Sequence, residues 1–185
     1  MISQVNNKLI VKMFLLKTFL VFSLSANDYY DYMDNCTVPN VLLKTVQITE
    51  NKTSNPYLIR TNQDINSFYS IVDRFSHKRT KDKNVIDCIN KENCTYITNS
   101  LIENNIIDID LGLHQINYKS YQYEINSYFD KFESYINACT VIENKIGKNK
   151  NNWSWKKLAE YHSKTPALNE KYKQKLIDNY LKLTQ

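Results

Sequence analysis

Glu50 is the residue of this chain whose type and setting best suit chemistry. It stands four residues after Val46, at the end of a segment, 40–49, whose apolar side chains recur at helical spacing. Val38, Leu42, Thr45, Val46 and Thr49 form one stripe, widened by Val41 and Ile48. A carboxyl at the C-terminal end of such a helix loses water and meets the negative end of the helix dipole. Both effects raise its pKa. A carboxylic acid that keeps its proton near neutral pH can protonate a leaving oxygen as a glycosidic bond breaks. Position alone favours the plainer alternative, a solvated glutamate closing the helix.

Other reactive groups are sparser. Asp64, Asp73, Asp108 and Asp110 are the acids that could face Glu50 as a second carboxylate, although turn and surface roles are commoner for such residues. Cys36, Cys88, Cys94 and Cys139 are an even number and allow three pairings. The preferred set is Cys88–Cys94, closing a short polar loop, with Cys36–Cys139 joining the first helix to a later one. No C-x-x-C pair occurs and the three histidines are scattered, so no metal is expected. A cysteine nucleophile served by His114 or His162 has no local activation signal. With Gly 2 in the whole chain, a glycine-rich phosphate loop is excluded, and no cofactor is expected.

The elements that must position these groups are mostly helical, because Gly 2 and Pro 3 leave little punctuation for many short strands. Thr37-Val38-Pro39 reads as a helix start, with a capping hydroxyl and a proline in the first turn. The polar run 51–56, ending in Pro56, stops that helix. Segments 57–61 and 67–72 are β-prone and read as a small hairpin; 78–83 is a charged loop. Helices follow at 95–104, 129–145, 153–162 and 168–183, with a mixed connection at 108–116 and a linker at 147–152. The fold class is mainly α (α+β), one helical domain with a small β-hairpin inserted after the helix that bears Glu50.

Residues 1–26 read as a secretory signal peptide. Lys8 and Lys12 precede an apolar run from Met13 to Leu24, broken only by Lys17 and Thr18, and the small residues Ser25 and Ala26 suit cleavage. The run is short for a membrane span, so export is expected, with membrane anchoring if the leader is uncleaved. The domain proper is then 27–185. The net charge of +5 falls to +2 without that leader, 21 basic residues against 19 acidic, and aromatic residues are not interleaved with dense basic clusters. Nucleic acid is therefore not the expected partner. The N-x-T and N-x-S tripeptides at Asn35, Asn51, Asn93 and Asn152 are what chance gives in so asparagine-rich a chain.

Four stretches, in order, resemble the lytic transglycosylases of the soluble-lytic, lysozyme-like family, in its hairpin-containing branch. Val38-Pro39-Asn40-Val41-Leu42-Leu43 running on to Thr49-Glu50 is similar to that family's catalytic helix, which ends in Glu-Ser. Asn55-Pro56-Tyr57-Leu58-Ile59-Arg60 resembles the hairpin after the glutamate. Asp108-Ile109-Asp110-Leu111-Gly112-Leu113-His114-Gln115-Ile116-Asn117 is similar to the branch's Asn-x-Asp-x-Gly-Leu-Met-Gln-x-Asn element. Trp155 followed by Tyr161-His162-Ser163-Lys164-Thr165-Pro166 resembles its Trp…Tyr-His-Ser-x-Thr-Pro segment, and Tyr172 matches a downstream tyrosine.

The resemblance implies cleavage of peptidoglycan glycan strands at the β-1,4 bond between N-acetylmuramic acid and N-acetylglucosamine, leaving a 1,6-anhydro ring. Glu50 acts first as acid and then as base. Asn51, Gly112, His114, Gln115, Asn117 and Tyr161 are the implied substrate-binding positions, with Tyr161 beside Glu50. His162 and Ser163 read as local scaffolding, and Trp155 as core. Two departures stand out: Asn51 where the family has Ser, and His114 where it has Met. A single acid suffices for this reaction, whereas hydrolytic glycosidases need two carboxyls at about 5 Å or about 6.5–9.5 Å. Two alternatives remain: a hydrolysing lysozyme of the same fold, and a non-catalytic glycan binder serving an envelope-spanning secretion or conjugation machine. Periplasmic or exported location fits each of these readings.

Overall fold

A computed structural model describes residues 36–147 and 153–185. The expected signal peptide, and most of the linker expected at 147–152, lie outside the described residues. From Thr37 onward the described residues belong to one compact unit. Among them, no helix is long and apolar enough to cross a membrane.

Helix α1, Asn40–Glu50, starts at Pro39, whose carbonyl accepts from the Leu42 and Leu43 amides at 2.9 and 3.3 Å. No side chain caps it. The Thr37 hydroxyl expected in that role bonds instead to Glu143 Oε1 at 2.6 Å, tying the entry of α1 to a later helix. The buried face is Leu42, Leu43, Thr45, Val46 and Gln47, broader than the apolar stripe implied. Burying side chains such as Leu42 and Val46 contributes about 1.5–3 kcal/mol each. Asn51, extended at φ −140°, ends the helix.

The inserted hairpin is corrected. Leu58–Thr61 is a strand, β1, but residues 67–72 fall in helix α2, Ile65–Val72. Asp64 caps α2 by accepting from the Ser67 amide at 2.8 Å, and Phe68, Ile71 and Val72 are buried at helical spacing. The cap and the i, i+3, i+4 pattern outweigh the β-prone composition. The partners of β1 come from farther along the chain: β3, Val85–Asp87, on one side and β4, Ile109–Leu111, on the other. With β2, Lys78–Arg79, and β5, Ile116–Asn117, they form an antiparallel sheet in the order β2-β3-β1-β4-β5. The stretches read as a charged loop and a mixed connection therefore contribute strands.

Helix α3, Lys91–Glu103, starts at Asn90, whose side chain accepts from the Asn93 amide. Cys88–Cys94 is a disulfide pinning the end of β3 to the first turn of α3. Cys36 and Cys139 are the other two cysteines, both disulfide-bonded. A 3₁₀ turn, Ile125–Phe129, brings Tyr128 and Phe129 into the core and leads to α4, Lys131–Ile146, capped by Asp130. Helix α5, Trp155–Ala159, is shorter than expected and precedes α6, Pro166–Thr184, which packs against both α1 and α5. Trp153, Trp155 and Tyr180 stack edge to face, so both tryptophans pack against their neighbours. The architecture is mixed: helices around a small antiparallel sheet.

Gly112 holds sheet and core together. Its φ is +74°, and a Cβ there would stand 1.8 Å from the Tyr128 carbonyl oxygen. Only glycine allows the 3₁₀ segment to lie this close to β4.

Candidate active site

An open cleft of about 710 Å³ runs between the end of α1, the β4–β5 hairpin, α4 and the loop joining α5 to α6. Its volume falls in the range of about 300–1,000 Å³ common for ligand sites. Helix α1 delivers Glu50 to one wall. The hairpin supplies Asp108, Asp110, Gln115 and Asn117; the α5–α6 loop supplies Glu160, Tyr161, His162 and Lys164.

The Glu50 side chain is 14% exposed, enough to meet a ligand while its stem stays in the fold. Its Oε1 lies 3.6 Å from Nδ1 of His162, whose side chain is 48% exposed. The other face of that imidazole is covered by Tyr172 of α6, stacked with centroids 4.7 Å apart and planes 11° from parallel. Contact with the Glu50 carboxylate holds His162 above the ordinary 6.5, against the opposing effect of partial burial. Burial, then the nearby charge of Glu50, pushes the Tyr172 hydroxyl well up.

Opposite stands a carboxylate pair. Asp108 and Asp110 are two residues apart, so the alternation of a strand turns them to the same side. Asn117 faces Asp110 across the ladder and its Nδ2 donates to both, at 2.9 Å to each Oδ1. Asn62 Nδ2 donates to Asp110 Oδ2 at 3.0 Å, and Lys119 Nζ lies 3.3 Å from Asp108 Oδ2. Burial raises the Asp110 carboxyl above the ordinary range; the two asparagine bonds oppose this and the Glu50 charge adds to it. Burial acts likewise on Asp108, but the bonds from Asn117 and Lys119 outweigh it and leave that carboxyl low.

No family model, curated protein or solved structure matches this chain.

Of the positions marked in the sequence, Glu50, Gln115, Asn117 and Tyr161 line the cleft together. Gln115 sits at φ +48° in the hairpin turn, its Nε2 donating to the Gly112 carbonyl at 2.9 Å. Asn117 is engaged by the two aspartates. Tyr161 donates its hydroxyl to the His114 carbonyl at 2.8 Å; burial, followed by the Glu50 and Asp110 charges, keeps that hydroxyl protonated.

Three marked positions do not line the cleft. The His114 imidazole is 2% exposed and contacts Ser134 Oγ at 3.1 Å, so only its backbone carbonyl serves the site. Burial drives its pKa down to about 3, and the ring is neutral. Asn51 is 3% exposed and organises the turn after α1: its Nδ2 donates to the Asn55 carbonyl and its Oδ1 accepts from Thr53. Gly112 acts through its close approach to Tyr128. Among the four candidate second acids, Asp64 caps α2 and Asp73 pairs with Arg79, leaving Asp108 and Asp110 in the cleft with Glu50.

The sequence reading missed His162 as a neighbour of Glu50 and the Asn62–Asn117 clamp on the aspartates. His162 has no local signal, because its contact is made by two elements distant in the chain. The clamp had one: Asp108, Asp110 and Asn117 share a short segment whose alternation aligns them.

Proposed function

We propose that this protein cleaves β-1,4-linked glycan of the peptidoglycan type as a lytic transglycosylase, with Glu50 as acid and then base. The observation that carries this reading is Glu50 itself: a largely enclosed carboxyl at the wall of an open polar cleft, next to a second proton-carrying group. In the first step the Glu50 proton moves to the glycosidic oxygen as the bond from C1 to that oxygen breaks. In the second, the Glu50 carboxylate takes the proton of the muramoyl C6 hydroxyl while O6 bonds to C1. The proton count closes and no water is consumed. Gln115 and Tyr161 line the cleft and are the groups proposed to contact the glycan. Two disulfides suit action in an oxidising compartment such as the periplasm.

A second reading has a specific observation behind it. Asp110 shares the cleft and feels the Glu50 charge, as the second carboxylate of a hydrolysing lysozyme must. A glycan-binding component of an envelope-spanning machine is the third. Digestion of purified sacculi, read by mass spectrometry, separates them. Anhydromuropeptides are expected; reducing ends indicate hydrolysis, and sacculus binding without products indicates a binder. Glu50→Gln is expected to lower turnover by about 10²–10⁴. Full activity in that variant removes Glu50 from the mechanism.

A further inference from the structure

A mechanism resting on one carboxyl must present that group protonated and correctly turned, and nothing in the two steps above supplies either condition. The imidazole of His162 faces the Glu50 carboxylate, with the Tyr172 hydroxyl also close to that carboxylate. We propose that His162 is the positioning residue for Glu50, and that the pair holds one proton between imidazole Nδ1 and carboxylate Oε1, which is the proton delivered to the glycosidic oxygen. This inference rests on the acid role of Glu50 argued above.

The geometry supports it from three sides. Nδ1 lies 3.6 Å from Oε1, a separation that a small side-chain rotation closes to a hydrogen bond. Tyr172 stacks flat on the imidazole and fixes its plane, and within that plane Nδ1 is the ring nitrogen on the carboxylate side. The His162 amide bonds to the Ala159 carbonyl at 3.2 Å, anchoring its backbone to the end of α5. A scaffold histidine needs none of this alignment, and the ring remains about half exposed, so solvent can return a proton to it.

The singly protonated pair has two forms: imidazolium with carboxylate, and imidazole with carboxylic acid. Moving the proton from Nδ1 to Oε1 interconverts them without changing the charge of the pair, so the fraction in the acid form is constant across the whole singly protonated range. Activity is then lost at high pH only when the pair gives up its last proton. The groups facing the ring set where this happens. Glu50 from α1 and Asp110 from β4 favour the charged ring, Lys175 from α6 disfavours it, and Tyr172 from α6 stays neutral. Glu160 and Lys164 line the same cleft with opposite charges.

Two measurements on the full chain test the pair. In the first, His162 is titrated by NMR of ¹⁵N-labelled imidazole in the absence of glycan. Glu50→Gln is expected to move its titration to lower pH, and Lys175→Met to move it slightly higher. An unmoved titration in Glu50→Gln overturns the inference whatever the protein cleaves. In the second, sacculus solubilisation is followed against pH. His162→Gln and His162→Asn are expected to lower turnover about tenfold or more and to draw the alkaline limb to lower pH, because a lone carboxyl replaces the pair. A uniform fall with the limb unmoved indicates a purely structural histidine and overturns the inference. If the wild-type protein releases no product at all, the proposed function fails, and the NMR titration alone decides the pair.

Discussion

At the scale of single residues, the site divides its carboxylates by environment. Asp108 and Asp110 are neighbours, yet Lys119 and Asn117 hold the first ionised while burial pushes the second the other way. Asp110→Asn therefore discriminates between reaction types. Under transglycosylation it should leave anhydro product with turnover reduced less than about tenfold; under hydrolysis it should cost about 10²-fold or more. Product analysis by mass spectrometry decides. Asn117→Asp exchanges a shared donor for a third carboxylate, and we expect it to cost about 1–3 kcal/mol at pH 7. Urea melts at pH 7 and pH 4 provide the check, since protonation of the cluster should shrink the loss at the lower pH.

At the scale of elements, local signals and distant partners compete, and the two regions after Glu50 show how. Helix α1 was legible to within a residue because Leu42 and Val46 recur at helical spacing. The turn beyond it was not, because buried Gln47 knots that turn through the Asn51 carbonyl and Ser54, a polar arrangement that periodicity cannot report. Residues 67–72 were misread for a different reason: Ile71 and Val72 suit a strand, but Asp64 commits the chain to a helix. Asp64→Ala should therefore cost about 1 kcal/mol, measured by urea denaturation, with little effect on cleavage. The strands flanking β1 were invisible because their pairing is set by sequence-distant registers, Ile59 opposite Ile86 and Leu111. His162 reads as local scaffolding on the same ground, whereas Glu50 is singled out by its setting and Gln115 and Tyr161 are reached through resemblance. Gly112→Ala should be among the most damaging single changes. Left-handed strain and the clash with Tyr128 together cost roughly 2–6 kcal/mol, read as a fall in the denaturation midpoint.

For the molecule as a whole, acid stability carries the mark of His114. Its folded-state pKa of about 3 lies below the ordinary 6.5 expected on unfolding. Between those values the unfolded chain binds the extra proton, so stability falls as pH drops from 6.5 towards 3 and is unaffected above 6.5. The slope is about 1.4 kcal/mol per pH unit. His114→Met should flatten that part of the profile, with denaturant melts across pH 3–7 as the measurement. A slope unchanged in the variant would place the acid sensitivity elsewhere.

The cleft draws its walls from opposite ends of the described chain: Glu50 from α1, His162 and Tyr161 from the loop before α6, and Leu168 from α6 itself, with Tyr172 of α6 backing His162. No contiguous portion of the polypeptide that stops short of the loop before α6 contains both Glu50 and the histidine that faces it. During synthesis, a chain that has emerged only through α4 carries Glu50 without the histidine that faces it. On the proposed reading, the acid and its partner meet only once the final helices are in place, so a stalled or prematurely ended product would lack cleaving activity.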